Sequence, residues 1–472
     1  MTTPNWLIIP VETKVRELYG KSLLAACAAD AGMQVILGDQ RVIAQSLHQV
    51  PSGVYIDKSV SRTKTAHFQS LRRMGFQIAA WCEEGLTYRD KAAYQFERIF
   101  PDSMKETSAF FAWGHSQSRD VLEVVPEAAD KIHIHGNPRF DFLGPSMRAV
   151  FNDDAREIGS AHGPYILVNT NFSRYNRFEG RDDVVDVLRK RNILTSSDRE
   201  DHYRNSVEHL GQVFGAFSAA IAQLAAAFPD IRIVVRPHPS ENHDRWRQEV
   251  AGLPNVEVHP EGNAIPWMMG AQAVIHNACT TGVESFMLER PTIAYVPVQH
   301  PIFNRLSYFP NAISAIATDM NALIALVRRA LSQQQPFDPD IAAKKDEVAR
   351  HVANASGELA AERIVRTIAE LQRSRTGRPS VWQETYARAF AMARLKAARA
   401  RRMLRRNAAL HAYMDQKFPE LTLDEMRSVL QRIANVRGRG PAPEVSAHPR
   451  LASCFVIRAR DARAEGAASA AA

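Results

Sequence analysis

The sequence predicts an α/β protein made of two tandem, doubly wound Rossmann-like units and a basic helical C-terminal tail. Three observations predict it. Short, nearly continuous apolar runs alternate with stretches of helical periodicity, as parallel strands covered on both faces do. The alternation restarts after "SAHG" at residues 160–163, so the series occurs twice. Composition then shifts: residues 373–472 hold 20 Lys and Arg against 8 Asp and Glu, whereas residues 1–372 hold 39 against 43.

The first unit, residues 1–150, opens on the strand-like "WLIIPV". "KVRELYGKSLLAACAADAGM" has helical periodicity and stops at Gly32. "QVILG" and "VYID" are strand-like, "TAHFQSLRRMG" is helical, and "FQIAAW" is a strand running into "CEEG". "SAFFAWG", the helix-like "SQSRDVLEVVP" and "KIHIHGNPRFD" complete the unit. In the second unit, residues 151–372, the series is "YILVNTN", the long helix "EHLGQVFGAFSAAIAQLAAAF", "IRIVVRPHP", "VEVHP", "AQAVIHNACTTGVESFMLER" and "PTIAYVP". Folds of this class carry ligands outside the C-terminal ends of their strands, so the crevice between the units is the expected site. Residues 172–205 interrupt the second unit with a charged insertion at a strand end. It reads equally as a lid or acceptor loop and as a surface excursion.

Composition narrows the class. Four cysteines, Cys27, Cys82, Cys279 and Cys454, lie far apart, suggesting neither a disulfide framework nor a zinc site, and a reducing compartment fits. No metal is expected. The opening apolar run is too short for a signal-peptide core, and no run is long enough to suggest a membrane span, so a cytoplasmic location is expected, peripheral at the inner face of the membrane if the tail binds lipid. The net charge of +8 resides in the tail, and a mildly acidic body argues against a groove that tracks nucleic-acid phosphates.

Five stretches carry candidate chemistry. In "WCEEGL", Glu83 and Glu84 follow a strand and point to opposite sides. A carboxylate half-buried by an apolar wall gains pKa and can act as general base; the bland reading is two acids reaching water. In "RPHPSE", Arg236 and His238 each precede a proline, which holds both out of helix. Such a pair can stabilise a departing phosphate; Glu241 reads first as the cap of the next helix and otherwise as the group orienting His238. In "HNACTTGVESFMLERP", Thr280, Thr281 and Gly282 open a helix. They form either an anion site or an ordinary N-cap, with Glu284 a ribose acceptor or a capping-box glutamate. Asn169 and Asn171 in "NTNFS" read as phosphate or sugar contacts, or as an Asx-turn. "HGNPRFD" reads as a hinge with Arg139 and Asp141 as a local pair.

In their order, Glu83-Glu84-Gly85, His238-Pro239 and Thr280-Thr281 resemble the motifs of CMP-sugar-dependent glycosyltransferases of the GT-B fold. These include bacterial sialyltransferases and the Kdo transferases of capsule and lipopolysaccharide assembly. Over residues 5–370, including "PVETKVRELYGKSLLA", the chain also resembles the surface carbohydrate biosynthesis proteins of polysaccharide loci, and "GNPRFD" is similar to a segment of CDP-glycerol transferases of teichoic-acid type. The resemblance implies an N-terminal acceptor domain, a C-terminal nucleotide-sugar domain, Glu84 as general base with Glu83 beside it, and His238 on the CMP phosphate. It implies nucleotide contacts from Arg236, Pro239, Thr280, Thr281, Gly282, Glu284, Asn169 and Asn171. Thr280-Thr281 stands where the family has Ser-Ser and keeps the hydroxyls. It further implies metal-independent transfer with no cofactor beyond a CMP-linked donor, of Kdo or nonulosonate type, to a glycan or lipid-linked acceptor. Retaining Kdo transferases of capsule type carry a carboxylate at the first strand exit of the second half. "NTNFSRYN" has none, which favours direct displacement. The same layout also admits a CDP-alditol phosphotransferase, a UDP-sugar 2-epimerase-like enzyme or a non-catalytic assembly scaffold.

The tail, residues 373–436, is expected to be helical. From Arg388 to Arg406 it has eight basic residues and no acid, and Trp382, Tyr386 and Phe390 recur at four-residue spacing just upstream. Residues 381–406 therefore read as a basic amphipathic helix facing an anionic membrane, or as a basic helix docked on the acidic body. Nucleic acid is not an expected partner. "TLDEMRSVLQRI" carries a capping-box start at Thr422 and Glu425, and residues 437–472 are expected to be disordered.

Overall fold

The computed structural model describes residues 5–460, except 89, 179–183, 191–193, 195, 306–307, 333–336, 375–376 and 404–407. The chain forms two mainly parallel sheets, as the apolar periodicity predicts. The first contains β1 (Trp6–Val11), β2 (Gln34–Asp39), β3 (Val54–Asp57), β4 (Gln77–Ala80), β5 (Ala109–Ala112) and β6 (Ile132–Ile134). The second contains β7 (Tyr165–Asn169), β8 (Arg232–Arg236), β9 (Val256–Val258), β10 (Ala273–His276), β11 (Thr292–Tyr295) and β12 (Ala315–Ala317). Strands such as Val54–Asp57, Ala109–Ala112 and Tyr165–Asn169 are buried at every residue, because helices cover both faces.

The second sheet runs β12-β11-β10-β7-β8-β9, the Rossmann order. Its order reverses between β7 and β10, so the loops leaving those two strands diverge and open a crevice. The first sheet runs β2-β1-β3-β4-β5-β6, with its reversal at β1 and β3. Lys58 and Glu12 form an ion pair across that reversal point.

The long helix predicted around residues 208–228 starts earlier, at Ser197, and ends at Ala227. Its length and composition would suffice to cross a membrane. Phe214, Phe217, Ile221 and Leu224 instead bury one face against the second sheet's core. The insertion at 172–205 therefore divides: its last residues belong to this helix, a short helix spans Val184–Lys190, and Ser173 and Arg174 reach the crevice wall.

The C-terminal third corrects two expectations. Helix Ala360–Arg373 packs with the first unit: Gln372 Nε2 donates to Trp6 O (3.0 Å) and Gln77 Nε2 to Leu371 O (2.9 Å). The expected 151–372 unit thus gives its last helix to its neighbour. Residues 437–460 are ordered rather than disordered. β13 (Glu444–Ala447) and β14 (Cys454–Arg458) form an antiparallel hairpin that pairs with β2 and extends the first sheet. Val445, Phe455 and Ile457 face the core, so a hairpin hidden behind "RGRGPAPE" covers what would otherwise be a free sheet edge. Residues 461–472 lie outside the described residues. Helix Leu423–Arg437 begins as predicted, with Thr422 Oγ1 accepting from Glu425 N (3.2 Å). The Glu425 side chain leaves the cap and pairs with Lys14 (2.7 Å).

Candidate active site

At the C-terminal end of β4, residues 81–85 turn sharply. Gly85 is needed there for packing, because a Cβ would lie 1.9 Å from Gln117 Nε2. This turn, rather than strand alternation, sends the two adjacent acids in different directions. The Glu83 side chain is only 6% exposed: Trp81 Nε1 donates to its Oε1 (2.8 Å), and Lys21 Nζ lies 3.6 Å away. Lys21 is itself fixed by Glu17 and by Pro10 O, both at 2.7 Å. Glu83 thus belongs to a packed charge network under the site and does not enter the crevice.

Glu84 does enter it. Its side chain is 50% exposed and lines a cavity of 420 Å³ between the units. Burial alone would raise its pKa, but the nearby charges of Arg16 and Arg98 outweigh burial and hold the carboxyl below the usual range. The Arg16 guanidinium is 3.9 Å away and Arg98 lines the same cavity. This corrects the raised pKa expected from the sequence: Glu84 is an ionised carboxylate, and cations rather than an apolar wall set its state.

From the second unit, His238 meets the same cavity. Its Nδ1 accepts a hydrogen bond from Ser240 N (3.1 Å), so the neutral ring carries its proton on Nε2. Burial, and then the charge of Arg16, push its pKa down to about 3, against the weaker pull of Glu84. His238 is therefore a neutral donor at physiological pH, not an imidazolium.

Glu241 holds this loop. It is fully buried and accepts from five donors: Thr170 Oγ1 (2.9 Å), Phe172 N (3.0 Å), His238 N (3.0 Å), Asn176 Nδ2 (3.2 Å) and Trp246 Nε1 (2.8 Å). The helix cap expected at Glu241 belongs to Asn242, whose Oδ1 accepts from Arg245 N (3.2 Å). Glu241 instead ties the exit loops of β7 and β8 together and orients the backbone at His238.

Arg236 is withdrawn from the site. It is buried and donates to the carbonyls of His259 (2.8 Å), Glu261 (2.8 Å) and Gly262 (2.9 Å), with its guanidinium over Trp267. Its role is to brace the 259–262 loop. Pro239 O accepts from Gln416 Nε2 (2.6 Å), and Tyr413 OH bonds Ser240 Oγ (3.2 Å), so helix Ala408–Lys417 clamps the proline loop from outside.

The third motif is also largely structural. Thr280 Oγ1 is 2.6 Å from Thr87 Oγ1, bridging the units at the cavity rim. Thr281 Oγ1 contacts Cys279 Sγ (2.7 Å). Gly282 packs against His276, where a Cβ would lie 2.5 Å from Nε2. Glu284 accepts from Arg139 Nη2 (2.6 Å) in a buried inter-unit ion pair. The structure gives Glu284 its partner in Arg139 rather than in the helix cap, and Arg139 is not paired with Asp141. Asp141 instead accepts from Asn354 Nδ2 (2.7 Å) and from the N–H groups of Ala360 (2.8 Å) and Ala361 (3.0 Å), anchoring the returning helix.

Of the two asparagines, Asn171 lines the cavity and Asn169 is buried behind it. Asn171 N donates to Asn277 Oδ1 (2.8 Å) and Asn277 Nδ2 to Asn171 O (3.2 Å), which joins the two loops at the strand-order reversal. Sequence reading missed Asn277, and Ala278, which adopts φ 56° at the cavity wall. "HNAC" directly after an apolar strand was the available signal. It also missed Arg98, which leaves its helix with no motif around it, and His209 on the long helix. Elsewhere among the described residues, His162, Glu257 and His259 converge with ligand-type atoms within 4.8 Å of one another. Glu257 there is also paired with Arg232, and none of the three lines the crevice.

The site thus joins one ionised carboxylate from the first unit to one neutral imidazole and an asparagine pair from the second. Comparison with solved structures aligns most of the chain at low identity. The UDP-GlcNAc 2-epimerase of Methanocaldococcus jannaschii, in complex with UDP-GlcNAc and UDP, aligns with a TM-score of 0.46 and 12% identity over 78% of this chain and 100% of that one. The wall teichoic acid polymerase TagF aligns at 0.49 and 10% over 78% of this chain and 88% of its own. The UDP-GlcNAc 2-epimerase of Neisseria meningitidis, bound to UDP-GlcNAc, aligns at 0.47 and 11% over 78% and 100%. No protein-family model matches the chain, and no curated protein matches it.

Proposed function

We propose that the protein is a glycosyltransferase of surface-polysaccharide assembly that takes a CMP-activated sugar of the Kdo or nonulosonate kind. The observation that carries this reading is the convergence of Glu84 and His238, from opposite units, on one cavity at the ends of their strands. Glu84 accepts the proton of an acceptor hydroxyl. That oxygen forms the new bond to the anomeric carbon as the bond from carbon to phosphate oxygen breaks. The electron pair leaves with the phosphate, and His238 Nε2–H donates a hydrogen bond to it. Asn171 and Asn277, at the strand-order reversal, face the nucleotide. A single displacement inverts the anomeric centre. The loop bearing His238 is set by two prolines and by Glu241 before any ligand arrives, which lowers the ordering cost of binding.

The test is a titration of the full chain with CMP, CDP, UDP and GDP, read by thermal shift and calorimetry. Stabilisation by CMP above the others is expected. A preference for CDP would replace the reading with an alditol-phosphate transferase, a preference for UDP with an epimerase-type enzyme, and no stabilisation by any of the four would leave an assembly scaffold.

A further inference from the structure

We infer that helix Val381–Met403 is a docking surface for anionic phospholipid, set rigidly on the first unit. Ten large hydrophobic residues are exposed among the described residues, and five of them, Val381, Trp382, Tyr386, Phe390 and Met392, fall on this one helix. Trp382, Tyr386 and Phe390 are spaced four apart and so share a face. They are 85%, 74% and 51% exposed, far beyond what scattered surface apolar residues would explain.

The other face is occupied. Ala387 and Ala391 pack against a buried core of the first unit that includes Leu47, Val50, Phe68 and Phe76. Arg388 Nη1 donates to the carbonyls of Leu47 (3.3 Å), His48 (3.2 Å) and Val50 (2.8 Å), with the guanidinium over Phe76. The helix is therefore fixed in rotation, and the aromatic stripe faces outward by construction.

Charge selects the occupant. The one acid between 381 and 406 is Glu384, and it is consumed by Arg388 (2.8 Å). Arg394 and Lys396 are exposed beside the stripe, with Arg394 over the Phe390 ring, and five more arginines follow by residue 406. Indole and phenol rings with flanking cations match the headgroup layer of an anionic bilayer, where an apolar body and a polar edge are both satisfied. Nucleic acid fits less well, because the aromatics precede the arginines rather than interleaving with them. Helix Ala408–Lys417 then lies on the His238 loop, so lipid contact would hold the crevice near the bilayer surface.

The experiment uses the full chain with vesicles of equimolar phosphatidylglycerol and phosphatidylcholine, and with phosphatidylcholine alone. Co-sedimentation with the anionic vesicles is expected, weakened by salt, with a blue shift of tryptophan emission that Trp382→Phe removes. The triple variant Trp382→Ala/Tyr386→Ala/Phe390→Ala should lose about tenfold or more in partitioning, and Arg394→Gln or Lys396→Gln about fivefold each. These side chains are exposed, so an unchanged melting temperature is the folding control. Undiminished partitioning by the triple variant, or equal binding to neutral vesicles, would overturn the proposal. So would a wild-type dimer in sedimentation velocity that the triple variant abolishes without any vesicle binding, since the stripe would then serve a second copy.

Discussion

Arg139 Nη2 lies 2.6 Å from Glu284 Oε1, in a buried ion pair that joins the two units behind the crevice. Removing one partner strands the other charge away from water. Arg139→Ala or Glu284→Ala should each cost about 3–5 kcal/mol, while the paired change Arg139→Met/Glu284→Leu recovers most of that loss. Denaturant unfolding of the three variants measures this. If Glu284 bound ribose instead, Glu284→Gln would weaken nucleotide affinity while leaving stability intact.

Glu84 is half-exposed and its ion pair with Arg16 is long (3.9 Å), so Glu84→Gln should change the melting temperature little. Its transfer rate should fall by about 10²–10⁴-fold as the base is lost. His238→Ala should fall by about 10²–10³-fold through lost stabilisation of the leaving phosphate. Wild-type turnover by either variant would remove that residue from the chemistry.

The pH profile follows from the same charges. Glu84 is ionised above a pKa held under 4.5, and His238, at about 3, stays neutral above that. Neither group changes state in the neutral range, so kcat/KM should be flat from about pH 5.5 to 7.5 and fall only in acid. Arg98→Met removes a cation that favours the Glu84 carboxylate, so that acid limb should move to higher pH. A limb that stays in place would show that Arg98 does not set the state of Glu84.

Much of the architecture was legible because buried parallel strands write continuous apolar runs. β12, with only "AIA" between polar residues, wrote none, and "CFVIR" was hidden by glycine and proline before it and alanine after it. The site was legible only where a motif sat at a strand end and its side chain pointed inward. Glu84, His238 and Asn171 met both conditions. Arg236, Glu284 and Glu83 occupy equally suggestive positions, but their partners, three loop carbonyls, Arg139 and Trp81, decide their roles. Those partners come from distant segments or from side-chain direction, which local spacing does not encode. Glu241 shows the same limit, since its five donors are drawn from three separate stretches of chain.

Glu241→Gln tests that hub. An amide keeps the volume but turns one acceptor oxygen into a donor facing N–H groups. A loss of about 1–3 kcal/mol is expected from the groups left unpaired. Because His238 N is one of the donors, kcat should fall more than KM rises, and Glu241→Asp, which keeps the charge but shortens the arm, should retain more activity than Glu241→Gln. A variant with full stability and full rate would show that the loop is held by its prolines alone.

Gly282 separates a phosphate-approach role from a packing role. The anion reading says a side chain here would block ligand. The structure puts the obstacle inside the protein: an added Cβ would lie 2.5 Å from Nε2, 2.6 Å from Cε1 and 2.8 Å from Cδ2 of His276. That ring cannot yield easily. It is fully buried, with Nε2 on Ser314 Oγ (2.8 Å) and Nδ1 accepting from Ala278 N (3.1 Å). Gly282→Ala should therefore cost about 1–3 kcal/mol by overpacking, and the folded fraction should bind nucleotide as before. Thermal unfolding and calorimetric titration on one preparation separate the two outcomes. Weakened binding with an unchanged melting temperature would return Gly282 to the ligand site, and with it the N-terminus of helix Thr280–Met287.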